Sequence, residues 1–231
     1  MNPVITAEQF EILRRLEACT LANAIETFQQ RLRNEGFVNS SVHCLFPELP
    51  PMLGYAATVK IRGSAPPTAA SPYHDRTDWW DYILSVPAPR VVVVQDVATQ
   101  AGLGSLLGAV HVNILRALGC VGAITNGSVR DLPAARKLGF HLFAGSISVS
   151  HAYVHIVEFG TAVEIGGLKI QSGDLLHGDL HGVQSIPLAV ADKVPRAAAE
   201  IIAKEQELIT LCQSKEFSVE KLREAVAKDR S

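Results

Sequence analysis

Arg130 and Asp131 have the types and setting that chemistry needs. They follow an apolar run over 121–125 and the polar stretch Asn126-Gly127-Ser128, and they precede a helical pattern opening at Leu132-Pro133. In open α/β sheets, ligands bind beyond the carboxyl ends of strands. An arginine placed there offers a planar cation to a carboxylate or enolate. An aspartate beside it offers a hard oxygen to Mg²⁺ or Mn²⁺. A structural reading stands next to this one. Asp131 occupies the position of a helix N-cap ahead of a first-turn proline, and Arg130 could serve a surface ion pair.

Other groupings say less. The run Ala101-Gly102-Leu103-Gly104-Ser105-Leu106-Leu107-Gly108 invites a dinucleotide-binding reading, but its third glycine is displaced. Asn126 also stands where the acidic ribose ligand would be, at the tip of the next predicted strand. The better reading has Gly108, Ala109, Val110 and His111 opening a helix whose free N–H groups receive a small carboxylate. His151 and His155 are four apart, and His177 and His181 flank Gly178-Asp179-Leu180. Neither pair carries the glutamate of a helical zinc motif, so both read as structural or supporting. No serine sits in a Gly-x-Ser-x-Gly frame. Lys60, Lys137 and Lys169 have no distinctive setting for Schiff-base chemistry. Trp79 and Trp80 could line a pocket, but on an amphipathic helix they read first as core or contact residues.

The elements that must hold these residues follow from periodicity. Thr6 caps a first helix carrying Phe10, Leu13 and Leu16, and Thr20 caps a second that ends at Asn34-Glu35-Gly36. Strands are predicted over 54–62, 90–95, 121–125 and 140–144. Helices are predicted around 79–83, 108–118 and 132–138, and a Pro-, Ala- and Ser-rich surface loop over 63–78. Alternation of strand and helix implies parallel pairing with right-handed crossovers. After Ser150 the short apolar pieces 156–159, 162–165, 168–170, 174–177 and 183–186 read as β-hairpins. From Val194 the tail is helical, and Ser218 caps a last charged helix.

Composition bounds the rest. The chain has 231 residues, 48% of them hydrophobic and 19% charged, with a net charge of −2. This describes a chain with a sizeable core and no basic excess for nucleic acid. The longest apolar runs fall short of the roughly 18 residues of a membrane span. Met1-Asn2-Pro3-Val4 shows no signal-peptide pattern. Cys19, Cys44, Cys120 and Cys212 form neither a CxxC pair nor a disulfide framework, and Cys120 reads as a buried small hydrophobe. A reducing cytoplasm is the expected compartment.

Two blocks carry a family resemblance. The run Ala117-Leu118-Gly119-Cys120-Val121-Gly122-Ala123-Ile124-Thr125-Asn126-Gly127-Ser128-Val129-Arg130-Asp131 is similar to the signature of RraA-like proteins. The later segment, from Val163-Glu164-Ile165-Gly166-Gly167-Leu168 through Gly173-Asp174-Leu175-Leu176-His177-Gly178-Asp179-Leu180-His181-Gly182-Val183, resembles that family's second block. The resemblance runs from about Leu16 to Pro187. It implies an α/β fold, a swivelling β/β/α-type single domain over 1–231, with its core at about 16–187 and helical extensions at both ends. It also implies trimers or dimers of trimers with the site near a subunit interface. Asp131 would be the metal ligand, Arg130 the substrate-binding and catalytic cation, and 108–111 the loop that receives a pyruvate carboxylate. Family enzymes cleave or decarboxylate 2-oxo acids to pyruvate with Mg²⁺ or Mn²⁺. The family's namesake instead regulates a ribonuclease through protein contacts. Two departures matter here, because many family enzymes carry acids where this chain has Ala109 and Asn126. A metal held by Asp131 alone would bind more weakly, and that favours a binding or regulatory role.

Overall fold

The computed structural model describes residues 5–68 and 76–229. Met1 to Val4 and the centre of the predicted 63–78 loop lie outside the described residues. In chain order come α1 (Ala7–Arg15), α2 (Ala18–Glu26), β1 (His43–Cys44), β2 (Met52–Arg62), α3 (Asp78–Ser85) and β3 (Arg90–Asp96). Then follow α4 (Ala109–Ala117), β4 (Cys120–Val129), α5 (Leu132–Lys137) and β5 (His141–Ile147). β6 (His155–Phe159), β7 (Val163–Ile165), β8 (Leu168–Ile170), β9 (Leu175–Asp179) and β10 (Gly182–Ile186) lead into α6 (Val194–Gln213) and α7 (Val219–Asp229).

β2, β3, β4 and β5 pair in parallel, as the strand-helix alternation requires. Val91, Val92, Val93 and Val94 are all buried, which is why β3 reads as an unbroken apolar run: a parallel strand is covered on both faces. On one face Ala57, Val59, Val92 and Val94 pack with Trp79, Ile83, Val112 and Leu115 from the helices. On the other, Ala56, Val91, Val93, Ile124 and Phe143 meet Val163, Ile165, Ile170, Leu176 and Val183. β2 is long enough to take two antiparallel partners along one edge, β9 at Met52–Tyr55 and β6 at Val59–Arg62. The sheet curls toward closure. A Cβ placed on Gly178 of β9 would lie 2.8 Å from Phe143 Cζ of β5, although β2, β3 and β4 separate those strands in the sheet. Trp79 is buried in the core and Trp80 packs partly buried against it, as core residues of an amphipathic helix do. No described helix is long and apolar enough to cross a membrane.

Three predicted boundaries shift. α1 begins at the predicted cap, with Thr6 and Gln9 in a reciprocal capping box. α2, however, starts at Ala18 instead of after Thr20, because the buried Asp179 carboxylate of β9 accepts the Ala18 N–H at 2.8 Å. A cap from 161 residues away leaves no local signal. α2 also ends at Glu26, well before Gly36, and Gln29 then takes a left-handed conformation (φ 51°). The third shift is at β4, which does not stop at Thr125. After an irregularity it resumes pairing, Ser128 with Ser146 and Val129 with Ile147. The predicted turn is therefore the second half of a bulged strand.

β9 also carries His177, which is fully buried. Neither ring nitrogen has a hydrogen-bond partner among the described residues. Burial pushes its pKa down to about 4, against a weaker pull from Asp179 and the Leu16 backbone. Burial likewise lowers that of His141, whose Nε2 lies 2.8 Å from the Pro50 carbonyl. A folded-state pKa below the unfolded one means that the unfolded chain takes up the proton first as pH falls. Stability from the neutral ring is full above about 6.5 and is lost toward 4. We expect this one group to cost about 3 kcal/mol across that window. Urea unfolding at pH 7 and pH 4.5 should show the loss, and His177→Leu should flatten the slope.

Candidate active site

The geometry begins with backbone. Leu107 bridges Val129 in parallel, and the Arg130 N–H donates to the Leu107 carbonyl at 3.1 Å. These contacts lay the end of β4 against the start of α4. Gly108, the N-cap of α4, is extended (φ −115°, ψ −177°), so its backbone does not demand glycine. The space does. A Cβ there would lie 2.7 Å from Arg130 Nε and 2.9 Å from Asp131 Oδ2.

Asp131 takes a left-handed conformation (φ 55°, ψ 39°), which Asp tolerates better than most residues. It stands at the N-cap position of α5, yet its side chain makes no cap bond to that helix. Oδ2 instead accepts the Ala109 N–H of α4 at 2.8 Å. The capping reading is thus right in kind and wrong in target: Asp131 caps the helix before it. This also revises the anion site expected at 108–111, because the first of its amides already serves Asp131. Val110 faces outward, 71% exposed, and His111 is half-buried in the same first turn.

Arg130 Nε approaches Asp131 Oδ2 only to 3.8 Å, an ion pair too long for a hydrogen bond. That nitrogen is buried and has no acceptor among the described residues. Such a donor carries a desolvation cost that an incoming anion would relieve. A cation, a carboxylate and a helix head therefore meet across Gly108, and the carboxylate's Oδ1 takes no hydrogen bond from the described residues.

Loop 97–107 is anchored by a residue that the sequence reading passed over. The buried Asp96 carboxylate accepts the Ala98 N–H at 3.0 Å and the Gly102 N–H at 2.9 Å. Gly102 needs its glycine, having φ +85°. An acid ending a strand before turn residues was the available signal. Asn126 closes the arrangement from β4: its Oδ1 accepts the Asp96 N–H at 2.8 Å and its Nδ2 donates to the Asp96 carbonyl at 3.0 Å. It lies inside β4, not at a strand tip, and its amide is spent on backbone. A carboxylate could accept the first bond but not donate the second. Asn126 is thus a clamp here, and the dinucleotide reading loses both its turn and its ribose contact.

The Nδ1 atoms of His151 and His155 each lie about 3 Å from a neighbouring backbone carbonyl, those of Ala152 and Tyr153. Among the described residues no three His, Cys, Asp or Glu side chains gather to hold a metal. Cys120 is buried as expected, with its thiol pushed up to about 12.

Residues 18–184 match the family model described as RraA-like, Aldolase/RraA. The chain belongs to the RraA-like family. A protein of Halalkalibacterium halodurans, provisionally named a 4-hydroxy-4-methyl-2-oxoglutarate aldolase, is 28% identical over 95 residues, 41% of this chain and 45% of that relative. The match thus spans less than half the length of the curated relative. Among solved structures, an uncharacterized protein from Pseudomonas syringae superposes with a TM-score of 0.74 at 20% identity, over 96% of each chain. RraAS2 of Streptomyces coelicolor, described as an unusual member of the RNase ES inhibitor RraA family, gives 0.68 at 21%, over 87% of this chain and 96% of that one. At these identities the two structures establish a shared fold.

Two substitutions probe the cluster apart from activity. Gly108→Ala should push Arg130 and Asp131 apart and cost about 1–3 kcal/mol in thermal unfolding. Asp131→Asn keeps an acceptor for Ala109 and tolerates the left-handed backbone, so it should stay within about 0.5 kcal/mol of the parent. Asp131→Ala loses both and should cost about 1–2 kcal/mol.

Proposed function

We propose that this protein is a divalent-metal-dependent lyase that releases pyruvate from a 2-oxo acid. The observation that carries this reading is the convergence of Arg130, Asp131 and the head of α4 across Gly108. Membership of a family whose model is described as Aldolase/RraA supports it.

The residues present suit Mg²⁺ or Mn²⁺ in a minimal way. Asp131 Oδ1 would hold the ion, while Ala109 fixes the other oxygen. One carboxylate can suffice for a hydrated Mg²⁺ that completes its shell with substrate oxygens and water. When bound, the ion would polarise the keto oxygen. The rest falls to the chain. Arg130 presents its guanidinium to the substrate carboxylate and to the charge that grows as the carbon–carbon bond breaks. In oxaloacetate decarboxylation CO₂ departs, the bonding pair passes to the pyruvate enolate, and water returns a proton to carbon. That reaction needs no side-chain base. A retro-aldol needs one: solvent is the proposed base, with Nε2 of His151 or His155 as the side-chain candidates, because a ring whose Nδ1–H donates to a backbone carbonyl keeps Nε2 basic. Val110, Ile147 and Val149 are respectively 71%, 59% and 98% exposed. Apolar surface of this kind near the site supports a homotrimer, or a dimer of trimers, with the site at a subunit contact. The free cysteines support a reducing cytoplasm.

A second reading, a regulatory protein acting through contacts, is favoured by Ala109 and Asn126, neither of which adds an acid beside Asp131. Pyruvate release from oxaloacetate and from 4-hydroxy-4-methyl-2-oxoglutarate, with Mg²⁺ or Mn²⁺, separates the two. We expect activity that EDTA abolishes. Asp131→Asn and Arg130→Gln should each lower kcat about 10²-fold or more, with stability near that of the parent. An inactive protein that binds neither ion in a titration would leave the regulatory reading standing.

A further inference from the structure

A cavity of about 730 Å³ opens at the end of the sheet where β2, β4 and β5 begin. Its floor is Met52 and Leu53 of β2, Val121 of β4 and His141 of β5. Arg130 and Asp131 lie past the other end of β4, which runs from Cys120 to Val129. Roughly 25–30 Å of strand therefore separates the two places. The volume suits a small organic ligand. One wall is α1, which supplies Phe10, Glu11 and Arg14. These residues precede the stretch that the family model matches, so the cavity is partly built by a segment outside that match.

The lining is graded from neutral to charged. Met52 and Leu53 are buried, and His141 is only 3% exposed. Burial lowers the His141 pKa, so the floor is uncharged at neutral pH. The Phe10 and Tyr55 rings stand 6.4 Å apart, tilted by 35°, and Pro50, Pro51 and Pro89 add flat apolar surface. Charge is confined to the outer lining. Arg14 is committed to Glu11 at 2.7 Å. Arg116, exposed in the last turn of α4, lines the cavity as well. Its guanidinium has no ion-pair or hydrogen-bond partner among the described residues, and neither has the Tyr55 hydroxyl.

We propose that this cavity is a binding site for an aromatic monocarboxylate. The ligand's ring lies against Phe10, Tyr55 and the prolines, over Met52, whose sulfur favours an aromatic neighbour. Its carboxylate takes the Arg116 guanidinium, a charge-assisted contact that no group of the chain already fills. The lining carries one cation in excess, and Glu11 opposes a second negative charge. A monoanion is therefore selected over a dicarboxylate. The site stands apart from Arg130 and Asp131 and does not depend on the lyase reading.

The test is isothermal titration calorimetry of the full chain with indole-3-acetate, compared with indole-3-acetamide and octanoate. We expect saturable binding of indole-3-acetate with a Kd below about 1 mM. Arg116→Gln, whose folding circular dichroism checks, should bind about tenfold more weakly. Arg130→Gln should bind as the parent does. Weakening in Arg130→Gln with none in Arg116→Gln would put the ligand at the candidate active site and overturn the proposal. So would no binding at all, an amide that binds as tightly as the acid, or octanoate that binds more tightly than the aromatic acid.

Discussion

The bond from the Ala109 amide to the Asp131 carboxylate ties the start of one crossover helix to the start of the previous one. α4 opens with a glycine that has no side chain to cap it, and it is capped from β4's far end. The same bond sets where the carboxylate lies, which oxygen it leaves open, and how near the guanidinium of Arg130 can come. Gly108 is the complement of that bond. Any larger residue would occupy the space in which Arg130 and Asp131 sit.

The arrangement recurs elsewhere in the molecule. α2 also lacks a cap of its own, and Asp179 of β9 supplies one. Gln184 of β10 completes that joint, donating from Nε2 to the Ala18 carbonyl at 2.6 Å. In both places an aspartate at the end of a strand satisfies a helix head that is remote in sequence. α2 is thereby pinned to the late strands β9 and β10, and α4 to the end of β4. Such joints are costly to disturb, because loss of the carboxylate leaves helix amides unsatisfied.

Around the site the balance between buried and open polar groups is uneven. Asp96 and Asn126 spend their hydrogen-bonding groups on backbone and hold the 97–107 loop. Arg130 spends little, with a buried Nε that has no acceptor among the described residues. The polar atoms are thus divided between a clamp that is complete and a cation that is not. The proposed chemistry uses the incomplete half.

Much of the fold is legible in residue order, because its causes are local. The Val-rich run of β3, the Thr6 capping box, the helical tail and the alternation that forces parallel pairing all follow from side chains near one another in the chain. The family blocks marked Arg130 and Asp131 for the same reason: they are contiguous. What the order of residues could not supply was the target of each polar side chain. Asp131 reads as the cap of the helix it precedes, and only the Leu107–Val129 bridge turns it toward α4. Asn126 reads as a missing acid, and only the bulge within β4 makes it a clamp on Asp96. The start of α2 was hidden because its cap lies on a strand near the other end of the chain. Local propensity and periodicity are properties of a segment, whereas a hydrogen bond between distant segments exists only once packing has brought them together.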